Sequence, residues 1–312
     1  MWKRPVVLVA VAVLVIAFVL LFPTFSAVKP SFDAERAYAD VVRQVEFGPR
    51  VPGTGGHDAA RAYFVETLEA LADRVIEQPV TATIGDSVTV TGTNIVASFN
   101  LNPGVGTRIM LAAHWDTRPR ADRDPDSTKH SEPVPGANDG ASGVAVLLEM
   151  ARLFHDDPPD VGVDLVLFDL EDLGDYATAD TSAPRTPFAL GSAAFVRDNP
   201  TYRPTFGILL DMVGDKNLRI AKEGYSQQYA PRIVEKVWAA AAAVGADAFV
   251  DAPGGAVEDD HVPFLRQGIP VIDLIQSPFS DTWHTTADTP EHISAASLGQ
   301  VGDVLIEVVY SE

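Results

Sequence analysis

Asp164-Leu-Val-Leu-Phe-Asp-Leu-Glu-Asp-Leu-Gly174 is the stretch that decides the fold class. Its first half is a short apolar run rich in Val, Leu and Phe, the pattern of a strand buried on both faces. The run closes on Asp169, Glu171 and Asp172, three carboxylates within four residues. Carboxylates crowded in this way repel one another. A surface loop tolerates that through water, whereas a metal site compensates it directly.

Working outward, the same design recurs. Arg108–Ala113 is a short apolar run that ends in His114-Trp-Asp116. Phe206–Met212 is another, and Asp211 follows its Gly-Ile-Leu-Leu. Pro270–Ile275 reads as a strand, and Val88–Phe99 alternates as a half-buried strand should. Between and around them, Ser31–Glu46, Gly56–Asp73, Gly140–Phe154, Tyr229–Val244 and Ser294–Val309 carry helical spacing. Arg118–Pro135 is polar and rich in Pro and Asp, hence a surface loop. Strands alternating with helices predict an α/β fold, a single domain with a mostly parallel mixed sheet flanked by helices. In such sheets ligands bind beyond the carboxyl ends of the strands, where His114, Glu171, Asp172 and Asp211 fall.

The catalytic body is expected over residues 31–312 and a separable segment over 1–30. Lys3 and Arg4 precede an uncharged apolar run from Val6 to Phe22, which Pro23 ends. Its length is at the short limit for a spanning helix, and the preceding charge places the N-terminus in the cytoplasm. The expectation is an N-terminal transmembrane anchor with the catalytic body outside the cytoplasm, periplasmic or extracellular. A cleaved signal peptide, giving a secreted protein, is the rival reading.

Composition narrows the chemistry. The chain has 312 residues and no Cys, so disulfides, thiolate metal sites and a Cys nucleophile are excluded. Any metal must sit on His and carboxylates. Lys and Arg number 23 against 43 Asp and Glu, a formal charge of −20. A surface this acidic repels phosphate backbones, which argues against nucleic-acid binding. A monomer is the default expectation.

Each candidate residue has an ordinary structural reading as well. His114 is a strand-end His, and Asp116, two residues on, suits the carboxylate that fixes a ligand's tautomer. Asp139, in Gly136-Ala-Asn-Asp-Gly-Ala-Ser-Gly143, sits where a helix N-cap would. Asp211 after an apolar run would be costly without a partner. Trp283-His-Thr-Thr-Ala-Asp288 is rich in chemistry for a loop. Taken in order, His, Asp, Glu-Asp, Asp, His is a nitrogen and oxygen donor set suited to zinc. Neither Ser142 nor Ser192 forms a nucleophile elbow.

That order resembles the zinc exopeptidase family, which includes bacterial leucyl aminopeptidases and glutaminyl cyclases. The likeness runs from about Phe47 to the C-terminus. It implies a bridging carboxylate at Asp139, one zinc also held by Asp172 and His284, and a second by His114 and Asp211. It implies Glu171 as the catalytic base; Asp172 stands where the family commonly carries Glu. The segment from Glu258-Asp-Asp-His to Trp283-His284 is similar to animal glutaminyl cyclases without a gap. There Asp259 matches a catalytic acid hydrogen-bonded to Asp211, and Phe279 and Trp283 match pocket aromatics. Phe47-Gly-Pro-Arg-Val-Pro-Gly53 and the Asp175–Pro187 insertion point the same way. Two departures are Asp273, where animal cyclases carry His, and the absence of a Trp in the insertion, near Tyr176. The resemblance implies a glutaminyl-peptide cyclotransferase with one zinc, acting on peptides with a free N-terminus. An aminopeptidase with two zinc ions is the alternative. His57, His130, His155 and His292 read as solvated, and His261 as support for the local fold.

Overall fold

The computed structural model describes residues 29–85, 87–102, 104–176 and 185–312. The expected membrane segment Val6–Phe22 and part of the Asp175–Pro187 insertion lie outside them. Among the described residues no helix is long and apolar enough to cross a membrane.

The body opens with two helices, α1 (Ala34–Glu46) and α2 (Gly55–Glu69). Both start on side-chain caps: Asp33 accepts from the Arg36 amide and Thr54 from the His57 amide. A hairpin follows, β1 (Arg74–Ile84) and β2 (Val88–Phe99), and then β3 (Arg108–His114), α3 (Ala141–Asp156) and β4 (Gly162–Phe168). The second half holds α4 (Leu190–Asp198), β5 (Gly207–Asp211), β6 (Ile220–Lys222), α5 (Gly224–Tyr229), α6 (Pro231–Val244), β7 (Phe249–Pro253), α7 (Val262–Arg266), β8 (Val271–Ile275) and α8 (Ala295–Val309).

The main sheet has the order β1-β2-β4-β3-β5-β8. Strands β4, β3, β5 and β8 run parallel, while β2 pairs antiparallel with both β1 and β4. The sheet is therefore mixed, with its parallel half carrying the strand ends of interest. Strand β1 is absent from the sequence expectation. It is a sheet edge containing Pro79, largely exposed, and so carries no buried apolar run to read.

Side-chain alternation explains why the parallel strands are apolar throughout. On β3, Ile109, Leu111 and Ala113 enter the core shared with α1, α2, α3, α6 and α8. Met110 and Ala112 point the other way, into a second core with Phe195 of α4 and Phe264 of α7. Helix α3 lies close against the sheet. A Cβ on Gly143 would stand 2.5 Å from the Leu210 carbonyl, so only glycine fits this approach.

Candidate active site

The carboxyl ends of β3, β4 and β5, the turn before α3 and the loop after β8 meet at one place. His114 ends β3, Glu171 and Asp172 follow β4, Asp211 ends β5, and His284 comes from the loop. Three of the site's neighbours or members hold positive φ without being glycine: Leu170 at 59°, Met212 at 49° and His284 at 54°. Such conformations cost energy and persist where surrounding structure enforces them.

Asp139 is the hinge of the arrangement. Its Oδ1 lies 3.1 Å from His114 Nε2, which is also 3.1 Å from Asp211 Oδ1. Its Oδ2 lies 3.3 Å from His284 Nε2, which is in turn 3.3 Å from Asp172 Oδ1. Two three-residue groups thus share one carboxylate: His114–Asp139–Asp211 and Asp139–Asp172–His284. Asp139 is not the N-cap of α3; Gly140 holds that place at φ 95°. This frees both Asp139 oxygens for the imidazoles.

Burial and mutual charge set the protonation. Burial alone would push Asp139 up, but His114 and His284 overcome it and hold the carboxyl far below its ordinary range. Burial pushes Asp211 up to about 7 against the pull of His114. Burial also pushes Glu171 well above the usual carboxylate range; His114 opposes this, and Asp172, Asp259 and Asp260 add to it. A carboxyl raised in this way suits proton exchange near neutral pH.

The supporting residues were mostly invisible in the sequence. Asp116 lies 3.6 Å from His114 Nδ1, an ionic contact and not the expected hydrogen bond. Its two oxygens instead accept the amides of Glu171, at 3.0 Å, and Asp172, at 3.1 Å, so it clamps the turn bearing both. Asp288 accepts the amides of Asn138 and Asp139 at 2.8 and 3.0 Å. Arg50, from the Phe47-Gly-Pro-Arg motif, donates to the carbonyls of Trp115, Pro135 and Gly136, tying two site-bearing loops together. Burial lowers its pKa to about 10.

Two expectations are corrected. Arg118–Pro135 is not simply a surface loop, because Arg118 is fully buried. It donates to Asp172 Oδ1 at 3.0 Å and to the carbonyls of Asp172 and Gly174 at 3.1 Å. His57 is buried, not solvated: it stacks on Trp115 with ring centroids 4.2 Å apart, and its Nε2 lies 3.0 Å from Asp169. A polar loop folded back over charged strand ends leaves no periodic trace in sequence.

Asp259 lines the site without the expected Asp211 partner. It is buried, its Oδ2 has no hydrogen-bond partner, and its carboxyl is raised, chiefly by burial. Asp259 belongs with His261 and Asp273 to a deeper buried group. In front of the site opens a cavity of about 290 Å³, floored by Glu171, Asp211 and Asp259 and walled by Tyr176, Phe279 and Trp283. Phe279 meets Trp283 edge-on at 4.6 Å, and Trp283 stacks on His284 at 4.2 Å.

The sequence model of peptidase family M28 matches residues 94–309, from β2 to the end of α8. The chain belongs to peptidase family M28. Its solved relatives include a glutaminyl cyclase of Bacteroides thetaiotaomicron, bound to N-acetylhistamine, at 42% identity and a TM-score of 0.87. That match covers 91% of this chain and 100% of the other. A Zn-dependent exopeptidase of Parabacteroides distasonis is 40% identical with a TM-score of 0.84, over 91% and 100% of the two chains. A glutaminyl-peptide cyclotransferase of Bos taurus is 26% identical, over 82% of this chain and 76% of that one. Family M28 therefore joins this fold to relatives named for two different reactions.

Proposed function

We propose that the chain is a zinc-dependent glutaminyl-peptide cyclotransferase, converting N-terminal glutamine to pyroglutamate with release of ammonia. The observation that carries this reading is the cavity. Ligand pockets run from about 300 to 1,000 Å³, and this one, about 290 Å³, is small and sets the aromatic Tyr176, Phe279 and Trp283 beside the acidic Glu171, Asp211 and Asp259. The 42% identity to a bacterial glutaminyl cyclase is in keeping with it, and a leucine aminopeptidase precursor of the same organism is equally identical.

The donor set fits zinc: imidazole nitrogens and carboxylates, no thiolate. Asp172 Oδ2 is buried without a hydrogen-bond partner, as expected of a carboxylate arranged around a cation. Asp139, Asp172 and His284 are the residues assigned to hold the ion. When bound, zinc supplies a Lewis acid that polarises the γ-carboxamide carbonyl. The aromatic side chains Tyr176, Phe279 and Trp283 pack on the glutamine side chain and hold it folded toward its own α-amine. Glu171 accepts a proton from that amine as its nitrogen attacks the carbonyl carbon of the γ-carboxamide, and gives it to the departing amide nitrogen as the bond from that carbon to the amide nitrogen breaks. Asp259, whose charge adds to the rise of the Glu171 carboxyl, favours its holding the transferred proton, and Asp211 lines the same cavity. Because attacker and target share one residue, orientation supplies much of the rate.

A second reading is favoured by one observation, the second group His114–Asp139–Asp211. With both groups loaded, Glu171 would activate water, and the enzyme would be an aminopeptidase. Mass spectrometry of a Gln-initiated peptide separates the two. Loss of one ammonia is the expected outcome, with a Leu-initiated peptide left unchanged. Loss of a whole residue from Gln-, Leu- and Ala-initiated peptides alike would overturn the cyclase assignment. The same proposal places the body outside the cytoplasm, anchored or released at Val6–Phe22, where peptides with free N-termini would reach it; protease protection of a tagged C-terminus in intact cells tests this.

A further inference from the structure

The geometry points to Tyr176 as the residue that positions His284 for zinc while forming a wall of the substrate cavity. This rests on the assignment of Asp139, Asp172 and His284 as metal ligands. His284 turns its Nε2 to Asp139 and Asp172, so its Nδ1 must carry the proton if Nε2 is to offer a lone pair. That Nδ1 meets the Tyr176 hydroxyl in a hydrogen bond. The nearest carboxylate is Asp122, at 3.8 Å, beyond hydrogen-bonding reach. Asp122 is already engaged, accepting from Arg118 Nε at 2.8 Å and from a terminal nitrogen at 2.7 Å.

The phenol is itself held on several sides. Its ring meets Trp283 edge-on at 5.8 Å and Phe188 at 5.6 Å. The Arg118 and Arg123 guanidinium groups stand 4.9 and 4.5 Å from its centroid. A ring so braced presents its oxygen at one place, and His284 has only one orientation that satisfies both it and the carboxylates. The two histidines of the site are thus supported differently. His114 has a carboxylate, Asp116, on its Nδ1 side, and His284 has a neutral phenol. The Tyr176 ring also lines the cavity, so metal retention and substrate fit pass through one side chain.

The test is zinc affinity of the full-length chain, measured by competition with a chromophoric chelator, for wild type, Tyr176→Phe and Tyr176→Leu. Outer partners of a metal-binding His typically contribute about 10- to 100-fold in metal affinity. Tyr176→Phe, which keeps the ring and removes only the hydroxyl, should weaken zinc binding by that factor, with any change in KM for a Gln-initiated peptide at saturating zinc smaller than that of Tyr176→Leu. Tyr176→Leu should weaken zinc equally and raise KM as well. Unaltered zinc affinity in both variants, or a Phe variant that moves KM alone, makes Tyr176 a cavity wall only and overturns the proposal. A wild-type chain that binds no zinc overturns the ligand assignment itself, and the role of Tyr176 with it. Thermal melting of the metal-free proteins separates a folding defect from a binding one, since the proposal requires the metal-free Phe variant to melt with wild type.

Discussion

Two of the buried carboxylate–imidazole groups among the described residues differ in how many imidazoles meet the carboxylates. In the outer group, Asp139, Asp172 and Asp211 face two imidazole nitrogens at 3.1 to 3.3 Å, and Asp139 is held ionised. In the inner group, Asp259, Asp273 and Glu223 lie around the single imidazole of His261, and Asp260 is buried beside Asp259. Glu223 is spent there: it accepts the amides of Tyr225, Ser226 and Val257 and lies 3.2 Å from His261 Nε2. Asp260 and Asp273 have no hydrogen-bond partners, and burial pushes both well above the usual carboxylate range. Burial pushes carboxyls up in both groups, Asp172 and Asp211 in the outer and Asp260 and Asp273 in the inner; the outer group differs in holding two imidazole Nε2 atoms among its carboxylates. Acidic residues in a core do not by themselves make a metal site. What matters is whether imidazoles aim lone pairs among them from separate segments, here the end of β3 and the loop after β8.

The largest expected effect tests the proton-transfer role in the outer group. Glu171→Gln should keep its zinc and lose about 10²–10⁴-fold in turnover, because the amide is nearly isosteric but accepts no proton. Elemental analysis and steady-state rates on one preparation check both halves; wild-type turnover would remove Glu171 from the mechanism.

A smaller effect separates the groups directly. If the outer group is completed by zinc, saturation at about 100 times Kd stabilises the fold by ~2.7 kcal/mol. Dialysis against a chelator should lower Tm and abolish activity, and added zinc should restore both. Asp172→Ala should show no zinc-dependent shift. A melting temperature indifferent to zinc in wild type would erase the distinction between the two groups.

The smallest effect belongs to the inner group. Asp273→Asn should be nearly silent in zinc content, since an amide resembles a protonated carboxyl. Its signature is in pH. A carboxyl raised in the folded state contributes stability that is complete below its unfolded pKa and is lost as pH rises toward its folded pKa. Between those two values the wild type should lose up to about 1.4 kcal/mol per pH unit through this group. The Asn variant lacks that slope, so its stability relative to wild type should improve from about pH 5 upward. Parallel stability–pH curves would mean that Asp273 is ionised in the fold and that a cation, not a proton, neutralises the inner group.

Read alone, the sequence determined the residue types that carry the chemistry and their place on the fold. Apolar runs ending in His114, Asp169-Leu-Glu-Asp172 and Asp211 mark buried parallel strands, because only such strands are apolar on both faces, and their ends are where charge can emerge. The absence of Cys limited the donors to nitrogen and oxygen. Tertiary structure alone decided the partners. Arg50 reaches Pro135 and Gly136, Asp288 reaches back to Asn138 and Asp139, and Tyr176 meets His284. These contacts join segments 85 to 150 residues apart. Local periodicity reports only which face of an element is buried. Which charged side chain comes to rest against which other is settled when loops close over the sheet, and there Arg118 and His57, both polar and both buried, satisfy groups that no neighbour in sequence could reach.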